Sequence, residues 1–295
     1  MTKKPKKELI VYLCLSSIYK SCSFVYMNFE AHMKTSLVIS TYNWKEALEL
    51  VLKSVLKQKM MPFEIVIADD GSKEDTRNLI AQYKAIFKIP LHHVWQKDEG
   101  FRKAMIINKA VAKAEGDYII QVDGDCIMHP SFIKDHLRYA NQGMYLSGSR
   151  VTIKESHLDS LFKKQKTRLN VLSKGIKKRG RALYLPLLST FYKESDGFNL
   201  KNRGCNMSFA REDFISVNGY NEDFEGWGRE DSELGRRFHN YGLSNRRLKN
   251  IAIVYHIYHF EKPKDKLDEN HQMEVDAVQN KTVSCEHGID KYLSE

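Results

Sequence analysis

The segment Tyr118-Ile119-Ile120-Gln121-Val122-Asp123-Gly124-Asp125 decides the fold, because a short apolar run ends abruptly in two carboxylates. A β-branched run of this length predicts a buried strand. Residues 36–40, 63–68 and 91–95 show a similar strand pattern. Between these strands, apolar residues recur at helical spacing over residues 44–58, 74–87 and 101–114. Strands that alternate with helices predict an α/β fold, with a Rossmann-like, mostly parallel sheet flanked by helices.

Polar clusters follow three of these strands: Thr41-Tyr42-Asn43, Asp69-Asp70-Gly71-Ser72 and Asp123-Gly124-Asp125. Ligands of parallel sheets bind at the carboxyl ends of the strands. The clusters therefore predict one binding cleft at that edge. The chain contains neither a GxGxxG fingerprint nor a Walker A loop, which disfavours a dinucleotide dehydrogenase and a P-loop NTPase.

Composition fits a soluble globular protein of one or two domains, with 295 residues and 42% hydrophobic residues. The five cysteines are scattered and include no CxxC pair, which argues against a disulfide scaffold or zinc cluster and favours a reducing compartment. No apolar run approaches the ~20 residues of a spanning helix. We expect residues 1–32 to lie outside the fold, as a membrane-contacting tail or as an upstream start preceding Met33.

The net charge of +10 is concentrated in residues 163–181, where nine basic residues occur without an acidic one. Such a segment could bind an anionic membrane face, an anionic glycan or nucleic acid, or it could be a solvated surface. No nucleic-acid motif accompanies it, so nucleic acid ranks last and we expect no nucleic-acid partner.

Two aspartate pairs are candidate ligand groups. Asp123 and Asp125 could hold a hard divalent cation through oxygen, although a bare Asp-x-Asp could also be a solvated turn. Asp69 and Asp70 could accept hydrogen bonds from a nucleoside base or ribose. The alternative is an acidic first helical turn with Ser72 as the N-cap, and both could hold together.

Two further groups lie in the second half. Glu230 and Asp231 open a predicted helix after Gly226-Trp227-Gly228, where the helix N-terminus would keep a carboxylate ionised to take a proton from a hydroxyl. Trp227 offers a face on which a sugar ring can stack. His256 and His259 follow a predicted strand and are either structural or ligands of a Mn²⁺-like ion.

These residues resemble those of a known family. The region 35–130 is similar to the family 2 glycosyltransferases of the GT-A fold. The features that carry this likeness are Ser40-Thr41-Tyr42-Asn43, Asp69-Asp70-Gly71-Ser72, Gln96-x-Asp98-x-Gly100-Phe101 with Ala104 and Asn108, and Asp123-Gly124-Asp125.

The region 203–259 resembles the galactosyltransferase-type segment of chondroitin polymerase, beta-1,4-galactosyltransferases and polypeptide N-acetylgalactosaminyltransferases. Its matching features are Asn206, Asn218-Gly219-Tyr220, Gly226-Trp227-Gly228-x-Glu230-Asp231 and the two histidines. The central glycine of Asp-Gly-Asp replaces a large residue, and the basic segment matches no family pattern.

The resemblance implies a role for each site residue. Asp231 would be the general base and Glu230 its acceptor-binding partner. Asp125 would bind Mn²⁺ or Mg²⁺, with His256 as the favoured third ligand and His259 as the second choice. Nucleotide-sugar contacts would come from Thr41, Tyr42, Asp69, Asp70, Asp98, Arg102 and Asp123. Sugar contacts would come from Asn206, Trp227 and Gly228.

The resemblance also implies a domain division. Residues 33–142 would bind the nucleotide sugar, residues 143–262 would form a smaller acceptor-binding and catalytic subdomain, and residues 263–295 would be a tail.

The predicted function is that of a metal-dependent, inverting hexosyltransferase. It would move a hexose or N-acetylhexosamine from a UDP-sugar to a glycan or lipid-linked glycan acceptor, in synthesis of a surface polysaccharide or lipooligosaccharide. We expect it to be cytoplasmic and to contact the inner membrane face through residues 163–181. Two alternatives remain: an inactive nucleotide-sugar or glycan-binding module, and a nucleotidyltransferase, for which the expected glycine-rich phosphate loop is missing. The sequence leaves the sugar and the acceptor open.

Overall fold

Four parallel strands form the half of the larger sheet that the sequence predicted. The structure, a computed structural model, describes residues 33–198, 203–260 and 263–293. The strands of the described residues are β1 (Thr35–Thr41), β2 (Glu64–Asp69), β3 (Leu91–Trp95), β4 (Tyr118–Asp123), β5 (Cys126–Met128), β6 (Met144–Ser147), β7 (Ser149–Ile153), β8 (Ile176–Lys177), β9 (Asn206–Ala210), β10 (Ser244–Arg247) and β11 (Ile253–His256), of which β1 to β4 form the predicted half.

Helices connect the strands and cover the sheet. Their apolar faces follow the predicted spacing; on α3, for example, Ile106, Ile107, Ala110 and Val111 are fully buried. The helices of the described chain are α1 (Lys45–Val55), α2 (Glu74–Ile86), α3 (Lys103–Lys113), α4 (Phe132–Leu137), α5 (Leu158–Lys164), α6 (Pro186–Ser189), α7 (Arg211–Ser216), α8 (Glu230–Tyr241) and α9 (Leu267–Gln279).

The strands form two sheets. The larger has the order β10-β6-β9-β4-β1-β2-β3, and the smaller has the order β5-β11-β7-β8. In the larger sheet, β1 pairs in parallel with β2 and β4, and β3 extends the sheet in parallel from β2. Only β9 breaks the pattern there, because it runs antiparallel between β4 and β6. The structure thus confirms the predicted mostly parallel sheet.

The second half departs from the expectations. The apolar pattern of residues 144–151 predicts one strand, whereas β6 and β7 belong to different sheets and are separated by Gly148. A Cβ atom at Gly148 would lie 2.3 Å from Oδ1 of Asn206, so only glycine fits where the chain changes sheets. Strand β9 was not predicted at all.

A buried ion pair ties α8 to the loop before it. Arg237 is fully buried, and its guanidinium donates to both carboxylate oxygens of Glu233, at 2.6 and 2.8 Å. The same group donates to the carbonyls of Val217 and Gly219, at 2.6 and 2.7 Å. The arrangement fixes the start of the loop that leads to Glu230.

The residues from Lys34 onward form one compact unit. The finer division at residues 142 and 262 stays a prediction. Residues 1–32, which we expected to lie outside the fold, are not among the described residues. Within the described ranges, every helix is too short or too polar to cross a bilayer.

We expect Glu233→Ala to lower the free energy of unfolding by about 3–5 kcal/mol, because it leaves the charge of Arg237 buried without its partner. Denaturant titration measures the change. Glu269→Ala is the control, since Glu269 is 66% exposed and pairs with Lys266 at 2.8 Å, so its loss should be below about 1 kcal/mol. Equal losses in the two variants would contradict this account of Arg237.

Candidate functional site

The turn Asp123-Gly124-Asp125 carries the chain from the larger sheet to the smaller one. Asp123 is the last residue of β4, and Cys126 is the first residue of β5. The amide of Gly124 donates to the carbonyl of Ser40 at 2.7 Å, and a Cβ atom on Gly124 would lie 2.9 Å from the same oxygen. The turn is therefore held against the carboxyl end of β1, at the edge where the cleft was predicted.

Strand pairing brings the two histidines to Asp125. Antiparallel pairing of β5 with β11 sets Cys126 opposite His256, and the amide of Ile257 donates to the carbonyl of Asp125 at 2.9 Å. Oδ2 of Asp125 lies 3.6 Å from Nε2 of His256 and 3.4 Å from Nε2 of His259. The structure thus brings together the three residues predicted as metal ligands.

The chemistry of these three residues fits a divalent cation. One ligand atom from each lies within 4.8 Å of the others. Nδ1 of His259 is 2.7 Å from the carbonyl of Phe260, and because a carbonyl only accepts, that nitrogen carries the proton. In the neutral ring, Nε2 then keeps its lone pair for a ligand. One carboxylate and two imidazoles form a donor set suited to an ion such as Mn²⁺.

Lys103 neutralises Asp123 and was missed by the sequence analysis. Oδ1 of Asp123 accepts hydrogen bonds from Nζ of Lys103 at 2.7 Å and from Oγ of Ser40 at 2.9 Å. Burial would raise the pKa of Asp123, but the ammonium and these bonds hold it below its ordinary value. Burial would lower the pKa of Lys103, but Asp123 and Glu230 hold it well above its ordinary value. The sequence did contain one signal for Lys103: a lysine is the first residue of helix α3, a position at which the helix dipole disfavours a positive charge.

Asp70 and Asp69 have different environments. Asp70 accepts from Nε2 of Gln96 at 2.7 Å and from the amide of Arg102 at 3.0 Å. Burial raises the pKa of Asp70 to about 6, although these hydrogen bonds act in the opposite direction. Asp69 is fully buried, and its two oxygens bond to the amide of Ser72 and to Nε2 of His93, both at 2.8 Å. Asp69 therefore shapes the loop, whereas Asp70 lines the cleft.

Ser72 does not cap α2, so that prediction is wrong. The N-cap residue is Lys73, and it makes no side-chain capping bond. Oγ of Ser72 instead accepts from the amide of Asn43 at 2.9 Å, while Oδ1 of Asn43 accepts from the amide of Lys73 at 2.8 Å. The serine thus joins the loops that follow β1 and β2 rather than closing the helix.

The remaining predicted nucleotide contacts surround this loop pair. Tyr42 donates to Oδ2 of Asp98 at 2.9 Å. Gly71 has a φ of +93°, and a Cβ atom there would lie 2.6 Å from the backbone of Asp98, so the close approach requires glycine. The guanidinium of Arg102 pairs with Glu225 at 2.8 Å. Arg102 therefore presents its amide to Asp70 and its side chain to the loop before Trp227.

A tight turn places the carboxylates of α8. Gly226, Gly228 and Arg229 all have positive φ, at 72°, 107° and 78°. The carbonyl of Gly228 accepts from Nδ2 of Asn270 on α9 at 3.0 Å. This backbone path leaves Trp227 38% exposed in the cleft wall and starts α8 at Glu230.

Glu230 and Asp231 make different contacts. Glu230 lines the cleft. Burial and the charge of Asp231 raise the pKa of Glu230 to about 7, against the opposing effect of Lys103. Oδ2 of Asp231 accepts from the amide of Gly204 at 2.8 Å. One residue of the pair therefore faces the cavity, and the other is anchored to the backbone.

Asn206 lies within a buried network. It is 2% exposed, and Oδ1 accepts from Nε2 of His136 at 2.9 Å. Its amide nitrogen donates to the carbonyls of Ser149 and Ala252, at 3.2 and 2.8 Å. These bonds tie β9 to the second sheet, and the predicted sugar contact of Asn206 stays a prediction.

The cleft itself is a cavity of about 490 Å³, within the range of small-molecule sites. It lies at the carboxyl ends of β1, β2 and β4. Its lining contains Lys103, which the sequence analysis missed, and brings together predicted residues of the nucleotide, cation and sugar groups: Thr41, Tyr42, Asp70, Asp123, Asp125, Trp227, Glu230 and His259.

Comparisons with known proteins agree with this geometry. Residues 36–197 match the family described as Glycosyl transferase family 2. Residues 192–260 match a second family, described as the N-terminal domain of galactosyltransferase. The two matches follow one another along the chain in the same order as the two resemblances found in the sequence. They confirm both resemblances.

Curated relatives are longer than this chain. A chondroitin synthase from Escherichia coli is 27% identical over 239 residues, which cover 75% of this chain and 34% of the relative. A hyaluronan synthase from Pasteurella multocida is 28% identical over 252 residues, which cover 79% of this chain and 25% of the relative. The chain thus spans about a third of the length of the first relative and a quarter of the length of the second.

Solved structures share the fold. S. aureus TarS aligns with a TM-score of 0.59 and 16% identity, over 88% of this chain and 41% of that one. GalNAc-T7 with UDP, GalNAc and Mn²⁺ aligns with a TM-score of 0.58 and 17% identity, over 78% of this chain and 44% of that one. These likenesses confirm the GT-A fold. Since the family 2 match covers more than half of the 295 residues, the chain belongs to glycosyl transferase family 2.

Proposed function

We propose that this glycosyltransferase is a metal-dependent, inverting hexosyltransferase that uses a UDP-sugar and extends a glycan or lipid-linked glycan acceptor. The observation that carries the proposal is the convergence of Asp125, His256 and His259 within 4.8 Å, next to a cavity that also contains Asp70 and Glu230. The names of the relatives, both polysaccharide synthases, support a glycan product. The UDP and Mn²⁺ of GalNAc-T7 support the donor and the ion.

The donor base and ribose would bind beside Asp70. Each of its oxygens already accepts one hydrogen bond, which fixes the carboxylate and leaves a second lone pair on each oxygen. Those lone pairs can accept from a base N–H or a ribose hydroxyl. Thr41, Tyr42 and Asp123 line the same cavity, and Asp123 would contact the ribose.

The diphosphate would lie between Lys103 and the three metal ligands. A divalent cation held there, Mn²⁺ or Mg²⁺, supplies positive charge that stabilises the leaving nucleoside diphosphate. Asp125 and the histidines would hold the ion, and the Lys103 ammonium already lies 2.7 Å from Asp123 in the same cavity. The anionic donor would thus meet compensated rather than bare carboxylates.

The acceptor would enter over Trp227, whose exposed ring can stack on a sugar. Asp231 would act as the general base, because its bond to Gly204 fixes one oxygen and orients the other. Glu230, with a pKa of about 7, carries a proton part of the time and can donate to an acceptor hydroxyl or accept from it. Direct attack by the acceptor oxygen displaces the diphosphate and inverts the anomeric centre.

The setting that we propose is the cytoplasmic face of the inner membrane, in synthesis of a surface polysaccharide or lipooligosaccharide. The polysaccharide synthases among the relatives support the product class. The basic residues of segment 163–181 support a contact with an anionic membrane surface.

Asp125→Ala is expected to lower Mn²⁺-dependent UDP release by at least about 100-fold. Of the three predicted ligands, Asp125 is the one carboxylate, and the ion would lose it. A screen of UDP-sugars with purified protein and Mn²⁺ measures this. Asp159→Ala, an exposed aspartate on α5, is the matched control and should keep wild-type turnover. Release of pyrophosphate instead of UDP would indicate a nucleotidyltransferase, and UDP binding without turnover would indicate an inactive module.

Asp231→Asn is expected to lower kcat by about 10²–10⁴-fold and to leave UDP affinity within twofold, because it removes the base and no donor contact. Glu230→Gln is expected to raise mainly the KM for the acceptor. Steady-state kinetics with calorimetric UDP titration separate the two effects. A large kcat loss in Glu230→Gln together with a mild effect of Asp231→Asn would reverse the two roles.

Asp70 predicts a pH dependence of nucleoside binding. Because its pKa is raised to about 6, lowering the pH from 7.5 to 5 protonates the carboxylate and should weaken uridine binding about tenfold. Uridine lacks phosphates, so NMR titration without metal isolates this effect from the cation site. Asp70→Asn should bind weakly at both pH values, and an unchanged slope in that variant would rule out Asp70 as the titrating group.

A further inference from the structure

A second concave region lies where β7 of the smaller sheet adjoins β6, β9 and β10 of the larger one, and its cations have no role in the chemistry described above. It comprises two adjoining cavities of about 680 and 160 Å³, which share Lys178, Arg181 and Arg247 in their lining. Arg150 and Arg203 complete the wall of the smaller cavity. We call these five residues the arginine pocket. Among the described residues, no carboxylate lines either cavity.

The cations of the arginine pocket lie together in cavity walls that contain no described carboxylate. None of its five cations forms an ion pair with a described residue, whereas Arg229 and Arg237 each pair with a glutamate. The pKa of Arg247 is lowered by burial and by the neighbouring charges of Arg181 and Arg203. The positive charges of Arg181, Arg203 and Arg247 repel one another. Holding these side chains together therefore costs free energy, which a bound anion would offset.

The pocket adjoins the candidate active site through strand pairing. Thr152, which lines the smaller cavity, is the register partner of His256. Arg150 is the partner of Val254, two residues earlier on the same strand. Its guanidinium lies 4.0 Å from Sγ of Cys205, the residue that follows the Gly204 anchor of Asp231. A ligand in the pocket would therefore lie close to His256 and to the Gly204 anchor of Asp231, the proposed base.

We propose that the arginine pocket binds the anionic groups, phosphate or carboxylate, of an acidic acceptor glycan. This inference rests on the proposed function, and it names the acceptor class of the same enzyme. Guanidinium groups bind both anions through paired, charge-assisted hydrogen bonds, which arginine provides better than lysine. Four of the five cations of the pocket are arginines. Binding there would hold the acceptor chain while its terminal hydroxyl reaches Asp231.

The shape of the pocket favours a discrete anionic group over a membrane surface. Of the basic segment 163–181, only Lys178, Arg179 and Arg181 line the cavities, whereas the exposed Lys163, Lys164 and Arg168 do not. A protein contacts a bilayer through a convex or flat basic surface, and Lys163, Lys164 and Arg168 could form such a surface. The partly buried Arg150 and Arg247, together with the exposed Lys178, Arg181 and Arg203, instead surround a volume that a sugar acid or phosphate can enter.

The test compares tetragalacturonate with the neutral maltotetraose, and adds inorganic pyrophosphate as a phosphate probe. Titrations use the full chain in EDTA, so that the cation site contributes nothing. Wild-type protein should bind tetragalacturonate, pyrophosphate or both at least tenfold more tightly than maltotetraose, and the affinity should fall with added salt. Preference for one probe identifies the anion. Equal affinity for all three probes would overturn the proposal.

Variants then locate the binding. Arg247→Gln and the more exposed Arg181→Gln should each weaken the bound probe about tenfold, whereas Arg168→Gln, which removes the same charge outside the pocket, should change it less than twofold. Equal weakening by all three would show a diffuse charge effect and overturn the pocket. UDP affinity with Mn²⁺, measured in the same proteins, should be unchanged. Absence of UDP binding in wild type would count against the proposed function alone, because the anion titrations do not depend on it.

A membrane role gives a different result. The probe is a vesicle with equal parts of phosphatidylglycerol and phosphatidylcholine. If the pocket binds the acceptor, the double variant Lys163→Gln/Lys164→Gln should no longer bind these vesicles, whereas Arg181→Gln should still bind them. If Arg181→Gln loses vesicle binding and keeps full affinity for tetragalacturonate and pyrophosphate, the pocket serves the membrane and the proposal is wrong.

Discussion

The contact between Gly124 and the carbonyl of Ser40 is the constraint on which the site depends. Within three residues the chain leaves the larger sheet at Asp123 and enters the smaller one at Cys126. This is possible because the Gly124 amide bonds to Ser40 at 2.7 Å and no side chain intervenes. As a result, Asp123 lies beside Ser40 and Lys103, and Asp125 lies beside the two histidines. One glycine thus joins two halves that different sheets build.

Local patterns predicted the parts of the fold that depend on local sequence. Strands β1 to β4 and their helices follow from apolar periodicity, and the clustering of polar loops follows from parallel topology. Strand β9 depends on pairing with β4 and β6, which lie at least 59 residues earlier in the chain, and no local pattern reports such partners. Gly148 illustrates the same limit, because its role depends on the distant side chain of Asn206.

The sequence predicted which residues form the site better than it predicted what each of them does. The sequence identified Asp125, His256 and His259 because motif order carried the information, and the β5–β11 register explains why they meet. It could not separate Asp69 from Asp70, since adjacent residues of the same type differ only in the direction that the loop gives them. It missed Lys103 because charge compensation depends on the three-dimensional neighbours Asp123 and Glu230.

The alternation of β7 shows how one strand can serve the core and two sites at once. Val151 and Ile153 are buried at 0% and 3% exposure, while Arg150 and Thr152 lie on the opposite, partly exposed face. The same strand pairs with β11 and so fixes the position of His256. A slip of one residue would bury Arg150 in the apolar core and expose Val151, at a cost of several kcal/mol for an unpaired buried charge. The burial pattern that stabilises β7 therefore also fixes the arginine pocket beside the candidate metal ligands.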